Sequence, residues 1–319
     1  MNKYRTTITP KESSGYRFIG IRNTANNCFL NSILQCLFYN KKLTQYVIEG
    51  KVALERKRLP DYSQHTVFLN MYKDFMNKMA YGSSVLTPMK LLNYIENYLP
   101  SYTKGSQEDA YGILLYILEC LDNALSYKAK FVIRGTADSV PGTMYKEAYE
   151  TLVQFYNKKY SYILESFYGL LITTVDGRRV YEPFNSICLD VATHHSIDRC
   201  IDEYFKPKTI DNLQIDTKAW SLPNSLILVL KRLDIKTSVT FPTELDITRV
   251  VHQEKRDQNH YVYNLNAVIY HIGTSESGHY YSVCKSSGAW YSFNDESVSK
   301  VQNVDVENAY ILFYEREFI

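Results

Sequence analysis

The spacing of apolar positions changes character once along the chain. Up to about Tyr168 they recur at helical intervals, and beyond it they form short runs divided by turn residues. Phe29, Leu30, Ile33, Leu34 and Leu37 share one broad face of a 3.6-residue wheel, which predicts a helix from Cys28 to about Asn40. The preceding residues, Gly20 to Asn27, are small and polar, and Asn23, Asn26 and Asn27 suit a tight turn. Phe68, Met71, Phe75 and Met79 predict a second helix, ended at Tyr81-Gly82-Ser83-Ser84. Thr87 and Pro88 read as a cap and a first-turn proline before Leu91, Leu92, Ile95 and Leu99. Gly105-Ser106 opens a helix through Ile113, Leu114, Ile117 and Leu121, with Ser106 and Asp109 spaced as a capping box. Val140-Pro141-Gly142 reads as a turn before a helix from Lys146 to Tyr160.

Strand signals follow. They are Leu170–Thr174, the turn Asp176-Gly177, Val180–Val191, and the run Leu222 to Leu230, read as the continuous apolar run expected of a fully buried strand. Tyr263–Tyr270, His279–Lys285, Trp290–Phe293 and Ala309–Tyr314 complete the set. Helices first and strands later predict an α+β protein whose cysteine helix packs on a later sheet.

Composition narrows the classes of function. Lys plus Arg number 36 against 34 for Asp plus Glu, so no global basic field points to nucleic acid. The basic stretch Lys51 to Arg58 is read as a solvated face. Tyrosine is abundant at 29 residues among 319, a bias we read as codon drift. Residues 1–15 are a polar leader without an apolar core, so no signal peptide is expected, and no apolar run suits a membrane span. Six cysteines without regular spacing fit a reducing compartment, and a cytoplasmic or nuclear location is the expectation.

Cys28 stands apart from the other cysteines. It follows a polar turn, begins a helix, and projects beside Ser32 and Gln35, away from the apolar stripe. Unpaired N–H groups at a helix start favour a thiolate. The turn adds donors for a developing oxyanion, with Asn23 as a side-chain candidate. Cys36, Cys120, Cys188, Cys200 and Cys284 fit ordinary packing. A thiol nucleophile needs a base, and the base needs a group that orients it. His279 enters a strand after a glycine-flanked loop, and Asn294 and Asp295 end the next strand, where either can meet its ring. His271 is a rival base.

These motifs, taken together and in order, resemble the catalytic domain of the ubiquitin-specific proteases, a family of papain-like cysteine deubiquitinases. Asn23 to Leu37 resembles the family's Cys box, and Gln107-Glu108-Asp109-Ala110 its glutamine-aspartate box. Leu222 to Leu233 is similar to its central strand. Leu265 to Gly273, Gly278-His279-Tyr280 and Trp290 to Asp295 resemble its His box, and Ala309 to Arg316 its last strand. The resemblance implies Cys28 as nucleophile, His279 as general base and then acid, Asn294 orienting His279, Asp295 supporting the oxyanion or the triad, and Asn23 in the oxyanion hole. It implies that Gln107, Asp109, Gly278 and Tyr280 bind substrate, with Asp109 meeting arginines of ubiquitin's C-terminal tail and Gly278 kept small beside a narrow diglycine channel. It further implies one catalytic domain over residues 16–317, shaped as a right hand. The thumb would span about residues 16–160, and the fingers and palm about 161–317.

The departures from the family pattern are specific. Ala25-Asn26-Asn27 stands where Gly-Asn-Thr is usual, and Ile21 where Leu is usual; an Ala in place of Gly matters if that backbone angle is positive. Gly112 replaces a glutamate. The family's two zinc-binding CxxC pairs have no counterpart; Val175-Asp176-Gly177-Arg178 and a short segment between Tyr204 and Trp220 occupy their places. Neither zinc nor another cofactor is therefore expected, and the fingers should be short. The expected partners are ubiquitin and its conjugates, with no nucleic acid and no membrane, for a monomeric hydrolase. A non-catalytic ubiquitin-binding scaffold and a hydrolase of a ubiquitin-like modifier are the alternatives.

Overall fold

The computed structural model describes residues 18–48, 64–157, 159–232, 238–256, 260–274 and 277–317. The polar leader, the basic stretch Lys51 to Arg58 and the end of the central strand motif at Leu233 lie outside the described residues. Helices come first: α1 (Cys28–Tyr39), α2 (Lys41–Ile48), α3 (Gln64–Tyr81), α4 (Met89–Tyr98) and α5 (Ala110–Leu125). Strand β1 (Tyr127–Lys128), α6 (Val140–Tyr156), β2 (Lys159–Tyr160) and α7 (Tyr162–Phe167) follow, and β1 pairs with β2. Then come β3 (Gly169–Val175), β4 (Arg178–Phe184), β5 (Ile187–Asp190), α8 (Ile197–Tyr204), β6 (Lys208–Ile210), β7 (Leu213–Ser221) and β8 (Ser225–Lys231). The chain closes with β9 (Glu244–Asp246), β10 (Val262–Gly273), β11 (Gly278–Ser286), β12 (Ala289–Asn294), β13 (Ser297–Val301) and β14 (Ala309–Arg316). The α+β expectation holds.

The described residues divide into two compact units. One lies within Met1–Leu54, Tyr62–Cys120 and Ala267–Asp305; the other lies within Glu55–Asp61, Leu121–Asn266 and Val306–Ile319. In the first unit every residue of α1 is buried. The helix packs on β11 and β12 and against α2. Buried Ser282, Cys284 and Ser286 alternate along β11, and such small side chains let a helix lie close to a sheet. The sequence placed Ser32 and Gln35 on a polar face; that face is enclosed instead. Ser32 donates to the Phe29 carbonyl and Gln35 Nε2 to the Ile19 carbonyl, which offsets part of the cost of burial, while the buried Gln35 Oε1 has no hydrogen-bond partner among the described residues. Antiparallel pairing sets Ile272 opposite His279 between β10 and β11, and Ser282 opposite Phe293 between β11 and β12.

The entry to α1 is clamped to the turn after β12. The Ile21 N–H donates to the Asp295 carbonyl at 2.8 Å, and Phe18 stacks on Tyr291 with ring centroids 3.9 Å apart. Gly20 crosses Glu296 so closely that an added Cβ would lie 2.3 Å from its backbone oxygen. Neither backbone can yield cheaply, so Gly20→Ala is expected to cost about 3 kcal/mol of unfolding free energy, the upper range for overpacking. A denaturant titration checks this, and a loss below about 0.5 kcal/mol would contradict it.

In the second unit, strands run in the order β4-β3-β7-β6. Met144 and Ala148 of α6 pack with Leu170, Ile172 and Trp220 of this sheet. The two stretches that stand where the resemblance places CxxC pairs are the β3–β4 hairpin and the β6–β7 hairpin. Asp176 and Gly177 at one turn and Asp211 and Asn212 at the other have positive φ, as tight hairpin turns require. Asp176 exchanges two bonds with Gln214, donating its N–H to the Gln214 carbonyl and accepting the Gln214 N–H on its carboxylate. Among the described residues no His, Cys, Asp or Glu side chains gather as a metal site, and no helix is long and apolar enough to cross a membrane. The buried strand β8 runs antiparallel to β14 and parallel to β5.

Three helix starts differ from their sequence patterns. Val140-Pro141-Gly142 is the first turn of α6, because Ser139 caps it by accepting the Gly142 N–H. Pro141 is therefore a first-turn proline, a place where its missing N–H costs nothing. That helix ends at Tyr156, with Asn157 in the left-handed region as its C-cap. Pro88, in place of Thr87, holds the N-cap position of α4, without a side-chain cap bond. Before α5 the cap is Asp109 itself, described below.

Candidate active site

Every residue singled out for chemistry lies in the first unit. Cys28 is the first residue of α1 and is 2% exposed. The turn before it is built by amides. Asn27 accepts the Thr24 and Ala25 N–H groups on its Oδ1, at 2.9 and 3.1 Å, and donates to the Arg22 carbonyl. Asn23 accepts the Asn27 N–H at 3.0 Å. The residue with positive φ is Asn26, at 56°, and Ala25 is not among the left-handed residues, so alanine there needs no strained backbone.

His279 sits at the start of β11 and Asn294 at the end of β12. The His279 Nε2 meets the Asn294 Oδ1 at 2.7 Å. A carbonyl oxygen only accepts, so Nε2 donates in this bond, which leaves Nδ1 as the ring nitrogen not engaged by Asn294. Asp295 follows in the left-handed region, at φ 51°, where Asp and Asn are better tolerated than most residues. Its Oδ2 accepts from Asn23 Nδ2 at 3.0 Å. Consecutive residues thus hold the histidine ring and the candidate oxyanion donor, Asn294 the former and Asp295 the latter. The sequence left open which of the two would meet His279; in the structure it is Asn294.

The Cys28 thiol is not poised as a thiolate in this state. Burial pushes its pKa up, and the charge of Asp295 adds to the rise; N–H groups of Tyr280, Phe29 and Cys28 itself pull the other way. The helix-start donors expected from sequence are therefore present, and desolvation outweighs them. Alkylation of Cys28 in the free protein by a haloacetamide should climb about tenfold per pH unit through neutrality, without half-maximum below pH 9.0. A rate that stays flat down to about pH 6 would mean a preformed ion pair and contradict this. Burial likewise pushes the Cys36 and Cys200 thiols up, and that of Cys120 to about 12, so what sets Cys28 apart is its place at the start of α1.

His271, the rival base, lies across from Tyr280 with ring centroids 4.4 Å apart. Burial lowers its pKa, opposed by the charge of Asp109 and reinforced by that of His279. An added Cβ on Gly278 would lie 2.2 Å from the His271 Nε2. The smallness of Gly278 thus has a cause inside the chain, apart from any channel for substrate.

The glutamine-aspartate segment leans on the same strand. Gln107 Oε1 accepts the Gly278 N–H at 2.9 Å, and the Ala110 N–H is directed at the Tyr280 hydroxyl. Asp109 caps α5, taking the Tyr111 N–H at 3.3 Å and the Gly112 N–H at 3.2 Å. Ser106 makes no cap, because its hydroxyl donates to the Thr103 carbonyl and to Glu108. Asp109 remains exposed on its outer side. The site residue that sequence reasoning passed over is Asn31, one turn beyond Cys28, whose amide donates to Asp295 Oδ1 at 2.8 Å. Its sequence signals were a polar residue inside an apolar helix and its place within the stretch Asn23 to Leu37.

A thiol at a helix start, a histidine oriented by an amide and a side-chain amide in the turn before the thiol are the parts of a papain-type thiol hydrolase site. A family model described as ubiquitin carboxyl-terminal hydrolase matches residues 19–314, and the chain belongs to that family. Ubiquitin carboxyl-terminal hydrolase 2 of Bos taurus is 29% identical, with 98% of this chain and 57% of that protein aligned. Ubiquitin carboxyl-terminal hydrolase 25 of Arabidopsis thaliana is 27% identical over 93% of this chain and 47% of its own length. The chain thus spans about half the length of these relatives. Among solved structures, the SAGA Ubp8/Sgf11/Sus1/Sgf73 DUB module bound to ubiquitin aldehyde superposes with a TM-score of 0.75 at 21% identity. That match covers 99% of this chain and 72% of the other, and shows the shared fold.

Proposed function

We propose that the chain is a thiol-dependent deubiquitinase that hydrolyses the isopeptide bond after ubiquitin's C-terminal glycine, with residues 16–317 acting as one catalytic domain. Membership of the ubiquitin carboxyl-terminal hydrolase family supports the reaction class. The observation that carries the residue roles is the adjacent pair Asn294 and Asp295, which hold His279 and Asn23. Cys28 is the nucleophile. Since its thiol starts protonated, His279 takes the proton through Nδ1 as sulfur attacks the carbonyl carbon. The Asn23 amide and the N–H groups at the start of α1 receive the oxyanion; one such donor is worth about 3 kcal/mol. His279 then protonates the departing lysine amine, and a water deprotonated by His279 cleaves the thioester, which returns the thiol. Gln107, Asp109, Gly278 and Tyr280 line the approach of the tail. Asp109 offers its exposed carboxylate edge to arginines, although Gly112 supplies no second one.

Ubiquitin and its conjugates are the partners this reading requires. One neighbouring structure, a SAGA DUB module bound to monoubiquitin, contains Ubp8 together with Sgf11, Sus1 and Sgf73, so a monomeric state here belongs to the proposal. The test is release of a fluorophore from ubiquitin carrying a C-terminal fluorogenic amide. Steady turnover supports the reading. Saturable ubiquitin binding with no turnover would instead establish a scaffold, and neither binding nor turnover would point to a different modifier.

A further inference from the structure

We infer that Asn31 is a positioning residue for the oxyanion hole, acting through Asp295, an inference that rests on the hydrolase reading above. Asn31 is 3% exposed, and its bonds account for both faces of its amide. Nδ2 donates to Asp295 Oδ1 at 2.8 Å and to the Ile21 carbonyl at 3.2 Å, while Oδ1 accepts from Asn27 Nδ2 at 2.8 Å. Asp295 Oδ2 accepts from Asn23 Nδ2, and Asn23 Oδ1 accepts the Asn27 N–H. The bonds close a ring through Asn27, Asn31, Asp295 and Asn23. Each carboxylate oxygen of Asp295 has one amide donor, and those donors come from the cysteine helix and from the turn that precedes it.

A buried polar residue usually satisfies itself on nearby backbone, as Ser32 does on the same helix. Asn31 differs, because two of its bonds go to side chains of the site, one of them 264 residues away in sequence. Without it, one oxygen of a charged group beside Cys28 loses its donor. The carboxylate is then free to rotate, and the Asn23 amide that it anchors loses its fixed direction. Preorganisation of that donor matters to the oxyanion, which exists only after attack, so the loss falls on turnover.

The test combines a readout of geometry with one of catalysis. In Asn31→Ala, the Asn23 side-chain amide protons of the free protein, followed by NMR, should exchange at least about tenfold faster than in the parent. Asp295→Ala removes both acceptor oxygens from a partly exposed turn, and should accelerate Asn23 exchange similarly, which guards against a misfolded helix variant. With ubiquitin fluorogenic amide, Asn31→Ala should lower kcat about tenfold and change KM by less than about twofold. In an Asn23→Ala background the same change should cost less than about twofold, because the group it positions is gone. Unchanged Asn23 exchange, or losses that multiply across the two positions, would overturn the inference. If the parent protein does not turn over ubiquitin, the hydrolase reading fails, and the exchange measurement still decides whether Asn31 fixes Asn23.

Discussion

Cys28→Ala is expected to remove ubiquitin-amide hydrolysis, by a factor of about 10⁵ or more, while ubiquitin still binds. Loss of a covalent nucleophile is among the largest single effects in enzymes of this type, since water must then attack directly, with only the oxyanion donors and binding left to assist. The structure indicates that the fold survives. Cys28 begins a helix, where alanine is a good former, and removing one sulfur from a buried position costs about 1 kcal/mol. The change also withdraws a group whose ionisation burial and Asp295 oppose, so nothing charged is stranded. A ubiquitin probe with a thiol-reactive C-terminus should label the parent once and this variant not at all. Retention of more than about a hundredth of the parent rate would require another nucleophile and sink the assignment.

The other cysteines make weak substitutes for physical reasons that sequence exposed only in part. Helical periodicity separated Cys36 and Cys120 from Cys28, and the structure buries both. What periodicity could not show was that α1 would be enclosed all round. A wheel ranks faces by polarity and is silent about how many layers surround a helix. The Ser32 and Gln35 face therefore read as polar, although the structure buries it and two backbone carbonyls accept from it. The same limit applies to the caps. Val140-Pro141-Gly142 has the composition of a turn, and only the Ser139 bond to Gly142 identifies it as a helix start. The hydrophobic run of β8 and the Asp176-Gly177 hairpin were legible because each is decided by residues next to one another.

The site was legible as residue types and much less as connections. The Cys box, the histidine and the Asn294-Asp295 pair stood out in sequence, yet the division of labour within that pair depends on a strand pairing and a turn. One step beyond the Ser282–Phe293 pair, the β11–β12 register carries Asn294 toward the strand face of His279. The left-handed turn at Asp295 sends the next carboxylate elsewhere, to Asn23 and Asn31. Neighbours in sequence thereby serve different partners, 272 residues apart in the case of Asn23. No local pattern records that distance.

His279→Ala is the second large loss, expected at about 10³- to 10⁴-fold in kcat, because the Cys28 thiol is protonated at rest and needs a proton acceptor as it attacks. Asn294→Ala should cost far less, about 10- to 100-fold. Asn294 touches neither the thiol nor the proton in flight; its Oδ1 selects the tautomer with the proton on Nε2 and holds the ring plane. Asn294→Asp keeps an acceptor at that position and should recover most of the loss. The half-exposed His279 leaves a site open to solvent when truncated, so added imidazole should restore part of the His279→Ala activity and none of the Cys28→Ala activity. The opposite ranking, with Asn294→Ala as damaging as His279→Ala and His271→Ala worse than either, would move the base to His271. The contacts of His271 argue against that outcome. Its ring lies against Tyr280 and Gly278, and the orienting carbonyl of Asn294 is spent on His279.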